Sequence, residues 1–418
     1  MSDFQQRPPA ILLGGGIIAL SVARSLHAAG IRVLAFDGSG SEIAWSRRAE
    51  RVPTPDEKGT AGWLEALLDG RLPRGAVLLP CSDEGLELLI RNRAALAERY
   101  LLMELRDDVA AVMLDKAQTY ELAARIGVPA PKVVPASTEA EIAGMELSFP
   151  CALKPRSSHD FVKHFPALKM FIAHNRAELH DAFEAVAPHR LEMLLTELIP
   201  PNPGGYQSYY SYLDEHGEPL FHFTKLKLRQ YPNAFGLGTF HVTDWGPEVA
   251  ALGLKFFRGA GLRGIGNIEF MRDPRDNSLK IIECNARFTL TTELVKAAGF
   301  DMPLLAYNRV VGLPLPVLRD YRRGVYAIRP VSDTLAFLEA RASGTLTLGA
   351  WLRTVCRPAR LLVFKWSDPL PAFVRFAPFW KRQLGRVVGK VLGTGGRVAA
   401  LHAAAQIVAP HARKGGAL

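Results

Sequence analysis

The first hundred residues alternate short apolar runs with amphipathic segments. The apolar run Ala10–Leu13 enters the glycines Gly14–Gly16, the next residues up to Ala29 have helical periodicity, and Ile31–Asp37 is again apolar. A strand, a helix and a second strand in this order predict a βαβ unit and therefore a parallel sheet. The apolar run Ala76–Pro80 predicts a further strand of the same α/β sheet.

The hydrophobic pattern changes at Asp107, where mixed α and β structure begins. A helix after Lys116 is stopped by Gly127-Val-Pro-Ala-Pro, and later apolar runs with period two are separated by turn residues. The predicted strands are 148–155, 168–173, 194–200, 206–213 and 220–228, and the predicted helices are 176–186 and 248–261. This mixture indicates an α+β unit after the N-terminal α/β unit.

The stretch Gly264–Arg287 predicts two strands joined by the turn-forming residues 273–278. Because side chains alternate along a strand, Glu269 faces the same side as Glu283 and Asn285 when the strands pair as a hairpin. Two carboxylates and an amide oxygen are hard ligands that Mg²⁺ prefers. The simpler alternative is a hairpin with an acidic face in solvent.

The net charge of +10 is concentrated at one end of the chain. From Trp351 onward there are 12 Lys and Arg but a single acidic residue, Asp368, which leaves a balance of −1 for the rest. A high isoelectric point is weak evidence for nucleic acid when charge is segregated in this way, so no nucleic-acid partner is expected. No run of 18 apolar residues is present, and the four cysteines are widely spaced, which favours a cytoplasmic protein with free thiols.

Two features at the N-terminal strand ends allow different interpretations. The glycines Gly14–Gly16 with Asp37 suggest dinucleotide binding, but the glycine spacing fits that motif poorly. Asp83 and Glu84 follow a predicted strand where α/β sheets bind ligands, although acidic residues are also favoured in the first turn of any helix.

Several lysines stand at the ends of predicted strands or helices, in a fixed order with the acidic hairpin. Each alone is more simply a solvated side chain, but lysine is also a compact point charge suited to phosphate. Lys116 in Leu-Asp-Lys, Lys154 in Ala-Leu-Lys-Pro, Lys169, Thr-Glu-Leu-Ile-Pro at 196–200, and Ile-Ile-Glu-Cys-Asn-Ala-Arg at 281–287 together resemble the ATP-grasp superfamily. Within it, residues 10 to 315 look most similar to the carboxylate–amine ligase branch near D-aspartate ligases.

The resemblance implies a site for ATP and Mg²⁺. By motif position, Lys116 and Lys154 would contact the ATP phosphates, with Lys169 as a third charge, and Arg287 would stabilise the transferred phosphoryl group. The residues carried over for adenine are Glu197, Leu198 and Ile199; those for the metal are Glu269, Glu283 and Asn285. Arg229, in the basic strand 225–232 followed by Gly236 and Gly238, would lie near the acceptor as a further catalytic residue.

Two departures from the superfamily pattern are visible. The loop from Ser157 to Phe165 has no glycine, so Ser157 and Ser158 would take part in closing over the phosphates. The acidic residue expected after the hinge, toward the ribose, is replaced near Tyr206 and Gln207.

The resulting prediction is an ATP-grasp fold in three parts. Residues 1–107 would form an α/β pre-ATP-grasp domain, residues 108–330 two α+β subdomains that clamp ATP, with a lid at about 148–200, and residues 331–418 a basic, mainly helical extension. Such an enzyme would join small-molecule carboxylate and amine substrates through an acyl phosphate. The alternatives are a nucleotide-binding regulatory protein without turnover and, less consistent with the motifs, a dinucleotide oxidoreductase.

The C-terminal extension also has two interpretations. Phe373, Phe376, Phe379 and Trp380 are interleaved with basic residues, as in segments that lie on anionic membranes. The alternative is a segment packed on the catalytic body with a basic outer surface.

Overall fold

The computed structural model describes residues 7–36, 41–55, 58–136, 149–156, 158–166, 168–200, 202, 204–318 and 320–374, with the side chains of 158–160 excepted. The described residues form a four-stranded parallel sheet, a four-stranded antiparallel sheet and a seven-stranded sheet, with helices packed on them. Within these ranges, no helix combines the length and the apolarity needed to cross a bilayer.

The N-terminal sheet confirms the predicted βαβ start. Its strands β1 to β4 are Ala10–Leu13, Val33–Phe36, Glu50–Val52 and Val77–Pro80, in the order β3-β2-β1-β4. The helices α1 to α4 are Gly16–Ala28, Gly59–Leu68, Asp83–Arg91 and Arg93–Ala97. At the turn into α1, Gly15 has φ of 104°, and a Cβ there would lie 2.1 Å from the Cys81 carbonyl oxygen. The glycine run therefore permits the first strand to pass close to the end of β4.

A pair of helices links this sheet to the next one. They are α5, Asp107–Leu114, and α6, Lys116–Arg125. Asp115 caps α6 by accepting hydrogen bonds from the backbone N–H groups of Ala117 (2.9 Å) and Gln118 (3.3 Å). The cap fixes Lys116 as the first helical residue.

The second sheet has the strand order β5-β8-β6-β7. Strands β5 to β8 are Val133–Pro135, Cys151–Pro155, Phe171–Ala173 and Met193–Glu197, and the helices α7 and α8 are Ser158–His164 and Arg176–Val186. A separate apolar cluster around Phe161, Phe183 and Leu195 holds this unit together. This sheet contains Lys154 near the end of β6. Its first strand in the chain, β5, precedes the predicted lid at about 148–200.

The seven-stranded sheet has the order β13-β12-β9-β10-β11-β14-β15. Strands β9 to β15 are Tyr206–Leu213, Phe223–Tyr231, Leu237–Thr243, Gly264–Arg272, Leu279–Asn285, Tyr326–Ile328 and Ala359–Leu361. The helices α9 to α13 are Pro247–Ala260, Thr292–Ala298, Met302–Val311, Pro330–Ala342 and Leu348–Val355. Strand β11 begins at Leu237, so Gly238 of the glycine segment after the basic strand lies within it.

The described part of the C-terminal extension packs on the body of the protein. Helices α12 and α13 precede β15, which pairs in parallel with β14 and so extends the large sheet by one edge strand. Further on, Asp368 is buried and accepts hydrogen bonds from Arg24 (2.9 Å) and Ser46 (2.7 Å) of the N-terminal domain. The packed alternative is therefore correct as far as residue 374, whereas Phe376, Phe379 and Trp380 lie outside the described residues.

Candidate nucleotide and metal site

The acidic hairpin forms as the sequence predicts. Strand β12 pairs antiparallel with β13, which places Glu269 directly opposite Glu283 and Asn267 opposite Asn285. The Asn285 amide nitrogen donates to Asn267 Oδ1 at 3.3 Å, so its carbonyl oxygen is the atom left for a cation. The two carboxylates and this amide share one face at the end of the hairpin.

These three groups fit a Mg²⁺ ion that takes its remaining ligands from water and phosphate. A metal site made entirely of protein ligands is not indicated, because no group of three His, Cys, Asp or Glu side chains suited to a metal occurs within the described ranges. The ligand set on the hairpin would therefore hold a cation together with a bound nucleotide rather than as an isolated structural ion.

The lysines predicted to contact phosphates converge on this hairpin from two other elements. Helix α6, which begins at Lys116, is tied to β13 because the Tyr120 hydroxyl donates to the Ile282 carbonyl at 2.8 Å. Lys154, at the end of β6, interacts electrostatically with both Lys116 and Glu283. The helix that begins at Lys116 and the strand that carries Lys154 thus meet beside Glu283.

Burial and mutual repulsion perturb these lysines. The pKa of Lys154 is lowered to about 8, first by burial and then by Lys116, while Glu283 opposes the shift. The pKa of Lys169 is also lowered, first by partial loss of hydration and then by Lys227 and Lys116, against the opposing effect of Glu283, although the side chain is exposed. Uncompensated positive charge of this kind favours a polyanionic ligand such as a nucleotide phosphate.

Two further lysines, Lys225 and Lys227, also reach the hairpin, although the motif positions assigned them no specific role. Lys227 Nζ lies 3.8 Å from Glu269 Oε2, and Lys225 is buried with its ammonium 2.9 Å from Ser208 Oγ. Burial by itself would raise the pKa of Glu269, but Lys227, Lys225, Lys169 and Arg287 together hold it below its usual value. Lys225 and Lys227 are separated by one residue on β10, which pairs with β9, so both side chains face the same side of the sheet. This spacing could have identified them from the sequence.

Arg287 lies at the site but has a partner from the N-terminal domain. Its guanidinium makes a bidentate ion pair with Asp83, with Nε–Oδ1 at 2.6 Å and Nη2–Oδ2 at 2.8 Å. Asp83 is in the first turn of α3, whose cap is the Ser82 hydroxyl that accepts from Gly85 N at 3.0 Å. Asp83 thus occupies a helix first turn and also contacts Arg287, while ligand binding at this strand end stays a prediction.

Arg229 is the exception, because the structure directs it away from the hairpin. The pairing of β10 with β11 is irregular on either side of Arg229, so its side chain leaves the face that Lys225 and Lys227 share. The guanidinium instead pairs with buried Asp333 through two contacts of 2.9 Å and stacks over the Phe240 ring at 4.4 Å. The described contacts of Arg229 therefore join β10 to the C-terminal helices, and its expected contact with the acceptor stays a prediction.

The predicted adenine hinge follows β8. Glu197 ends that strand, and its carboxylate is paired with Arg275 at 2.6 Å and with Lys280 at 3.4 Å. Leu198 and Ile199 are buried beside it, so the backbone at this point is part of the packed structure. An adenine amino group would have to share the Glu197 carboxylate with two cations.

A cleft of about 1090 Å³ runs from the N-terminal domain to the antiparallel sheet. Its walls include Asp83 and Glu84 on one side, Lys116 and Arg156 on another, and Glu283 with Asn285 at the hairpin. The volume is at the upper end of ordinary ligand pockets, which is large enough for a nucleotide and a second substrate.

Ser157 and the Ser158 side chain lie outside the described residues, as does Asp37 of the dinucleotide alternative.

The arrangement of the sheets and helices is similar to that of several solved structures. An L-amino acid ligase from Bacillus licheniformis matches with a TM-score of 0.57 and 16% identity, over 73% of this chain and 75% of that one. The ADP complex of N5-carboxyaminoimidazole ribonucleotide synthetase matches with a TM-score of 0.60 and 15% identity, over 80% of this chain and 86% of that one. The chain therefore has the ATP-grasp fold, as the motif order had indicated.

Similarity at the level of sequence points to one relative in particular. The D-aspartate ligase of Enterococcus faecium (strain Aus0004) is 23% identical over 250 residues, which are 57% of this chain and 59% of that protein. The chain thus aligns with less than two thirds of this relative's length. No model of a known protein family matches the chain. The predicted resemblance to ATP-grasp ligases is confirmed, and the dinucleotide alternative receives no support from these relatives.

Proposed function

We propose that this protein is an ADP-forming carboxylate–amine ligase that uses Mg²⁺ and ATP. The observation that carries the proposal is the pairing of Glu269 opposite Glu283, with Lys154 and Lys169 close enough to interact electrostatically with Glu283 and Lys116 close to both lysines. Paired acids for a metal ion and an arginine beside them are the groups that phosphoryl transfer uses. The similarity to D-aspartate ligase supports the same conclusion.

In this proposal ATP phosphorylates a substrate carboxylate, and an amine then displaces phosphate from the acyl phosphate. Glu269, Glu283 and Asn285 would hold Mg²⁺, which offsets charge on the phosphate oxygens. Lys116, Lys154 and Lys169 orient the phosphates, since phosphoryl transfer depends chiefly on positioning and on fixed positive charge.

Arg287 completes the site when the phosphoryl group competes with Asp83 for its guanidinium. The bidentate geometry that the pair adopts is the geometry by which arginine binds two oxygens of a phosphoryl group. Asp83 therefore keeps Arg287 oriented toward the cleft before the nucleotide arrives.

The test is ADP release by the full chain with ATP, Mg²⁺ and pairs of small carboxylates and amines. Release should require a carboxylate and stop with Glu283→Gln, whereas Glu293→Gln, on a helix beyond the hairpin, serves as a matched control that retains turnover. Nucleotide binding by the folded protein without ADP release from any pair would support instead a regulatory protein without turnover.

We also propose that the C-terminal region contacts an anionic membrane at its cytoplasmic face. Trp366 and Phe373 are 88% and 64% exposed on either side of the buried anchor Asp368. The 44 residues after Val374 contain eight Lys and Arg and no acidic residue. Aromatic side chains beside clustered positive charge are the composition that binds anionic interfaces.

Vesicle co-sedimentation tests this contact. Substitutions are preferable to a truncation near Ser343, because the shortened chain would lose Asp368 and leave Arg24 unpaired. The double variant Trp366→Ala/Phe373→Ala should pellet less with anionic vesicles, and Leu338→Ala, at a 53% exposed residue elsewhere, should pellet normally. Equal pelleting of all three proteins at low salt would contradict the proposal.

A further inference from the structure

Beyond the hairpin, the face of the large sheet carries a cluster of buried cationic and imidazole side chains that none of the roles above uses. We infer that Lys227, His241 and Arg329 form an anion-binding subsite, which takes a second anionic group of the carboxylate substrate. The substrate class is a small acid with two anionic groups, either a dicarboxylate or a phosphorylated carboxylic acid. This inference rests on the proposed ligase function for the identity of the ligand, but the subsite itself rests on the geometry below.

Strand register places the cluster next to the reacting centre. Lys227 on β10 is paired with His241 on β11, and His241 is paired with Ala327 on β14. Arg329 follows two residues later, and its backbone N–H donates to the Thr239 carbonyl at 2.8 Å. Lys227 is the link to the hairpin, since its ammonium lies 3.8 Å from Glu269.

Arg329 is a buried guanidinium without a counterion among the described residues. It is 8% exposed, its Nε has no hydrogen-bond partner, and burial is the sole cause that lowers its pKa. A buried charge is costly unless it is paired, and arginine cannot escape the cost by losing its proton. Arg229, which is also largely buried, shows the contrast, because its guanidinium is fully engaged with Asp333.

His241 has the same deficiency. It is 3% exposed, and no side chain of the described residues hydrogen-bonds to either ring nitrogen; the polar group beside the ring is the Gly238 backbone, which acts to raise the pKa of the imidazole. Burial, Lys225, Lys227 and Arg329 all lower the pKa of the imidazole. A neutral ring keeps one N–H donor for a ligand, and three neighbouring cations determine that this ligand is an anion.

Gly238 provides the space in which the imidazole lies. A Cβ at this residue would come within 2.4 Å of His241 Nε2 and 3.1 Å of Lys227 Cδ. Any side chain at Gly238 would therefore displace both members of the cluster.

The charges around the cluster do not balance without a ligand. Lys225, Lys227 and Arg329 bring three positive charges, and the carboxylate that interacts with Lys225 and Lys227 is Glu269. Glu269 is also a proposed metal ligand, so it cannot neutralise the cluster once Mg²⁺ is bound. A second anionic group on the substrate restores the balance and leaves the first carboxylate at the hairpin for phosphorylation.

Thermal unfolding of the full chain without ATP or Mg²⁺ tests the subsite independently of turnover. Small dicarboxylates and phosphorylated acids should raise the unfolding midpoint, whereas monocarboxylates of equal chain length should not. Arg329→Met should raise the midpoint of the free protein, because it removes an unpaired buried charge, and should abolish the ligand-induced rise. Arg323→Met, at an exposed arginine six residues earlier, is the matched control and should change neither value.

ADP release then separates the subsite from the ligase proposal. With ATP and Mg²⁺, Arg329→Met should raise KM for the two-anion substrate at least tenfold while leaving KM for ATP within twofold, and Arg329→Lys should restore part of the loss. A stabilising effect of dicarboxylates without any ADP release would retain the subsite and reject the ligase. Equal use of monocarboxylates, a lower midpoint for free Arg329→Met, or a rise caused equally by inorganic phosphate would overturn the substrate assignment.

Discussion

Replacing Lys225 by methionine should stabilise the ligand-free protein, although lysine is the native residue. Lys225 is 2% exposed, and burial lowers its pKa to about 8, with Glu269 opposing that shift and Lys227 adding to it. Methionine has a similar length and no charge, so the variant removes the ammonium without leaving a large cavity.

The magnitude follows from the difference between the folded value of about 8 and the reference value of 10.5. At about 1.4 kcal/mol per pKa unit, holding this lysine charged at pH 7 costs the folded state about 3 kcal/mol. Losing the hydrogen bond to Ser208 Oγ, at 2.9 Å, returns about 1 kcal/mol of that gain. The net expectation is a free energy of unfolding higher by about 2 kcal/mol at pH 7.

The sign of the pH dependence distinguishes this explanation from a general packing effect. The folded pKa is lowered, so the unfolded chain binds more protons between about pH 8 and 10.5, and the stability of the parent protein rises over that interval. The advantage of Lys225→Met should therefore be complete below pH 8 and vanish above 10.5. Urea unfolding at several pH values measures this, with the exposed Lys58→Met as a control that shows no such trend. A Lys225→Met protein less stable than its parent at pH 7 would refute the reasoning.

Three other substitutions test the site and its surroundings. Glu283→Gln should abolish ADP release while circular dichroism and the unfolding midpoint stay close to those of the parent; near-normal turnover would remove Glu283 from the metal site. Lys154→Ala should weaken ATP binding, measured by calorimetry, at least tenfold. The ATP affinity of the parent protein should fall as pH rises through the Lys154 pKa of about 8. Lys154→Arg stays charged at high pH but should not restore full affinity. Arg229→Met should lower the free energy of unfolding by about 3 kcal/mol, because it leaves Asp333 buried without its cation, yet the folded fraction should keep its KM for both substrates; a change in KM without a loss of stability would return Arg229 to the acceptor site.

The sequence predicted those features that depend on local pattern. The hairpin around Glu269 and Glu283 followed from alternation on either side of a turn-rich segment, and β1 with its glycine turn followed from an apolar run entering Gly14. The order of lysines and acids along the chain led to the fold because a linear motif order survives when overall identity is low.

The remaining features depend on contacts that no local pattern contains. The irregular pairing near Arg229 turns a basic side chain from one face of the sheet to the other, and strict alternation predicts the opposite. The pairing of Arg287 with Asp83 joins residues 204 positions apart. Arg329 indicates an anion site because no counterion lies near it among the described residues. The sequence cannot show this, because the neighbours of Arg329 come from strands distant in the chain.

The anchor formed by Asp368 has a consequence for how the chain is made. Arg24 is buried against a partner 344 residues later in the sequence. At about 5–20 residues per second, roughly 17 to 70 s of synthesis separate the two residues on the ribosome. During that interval the N-terminal sheet presents an arginine whose carboxylate does not yet exist. The packing around Arg24 is therefore complete only after the segment that carries Asp368 has been synthesised.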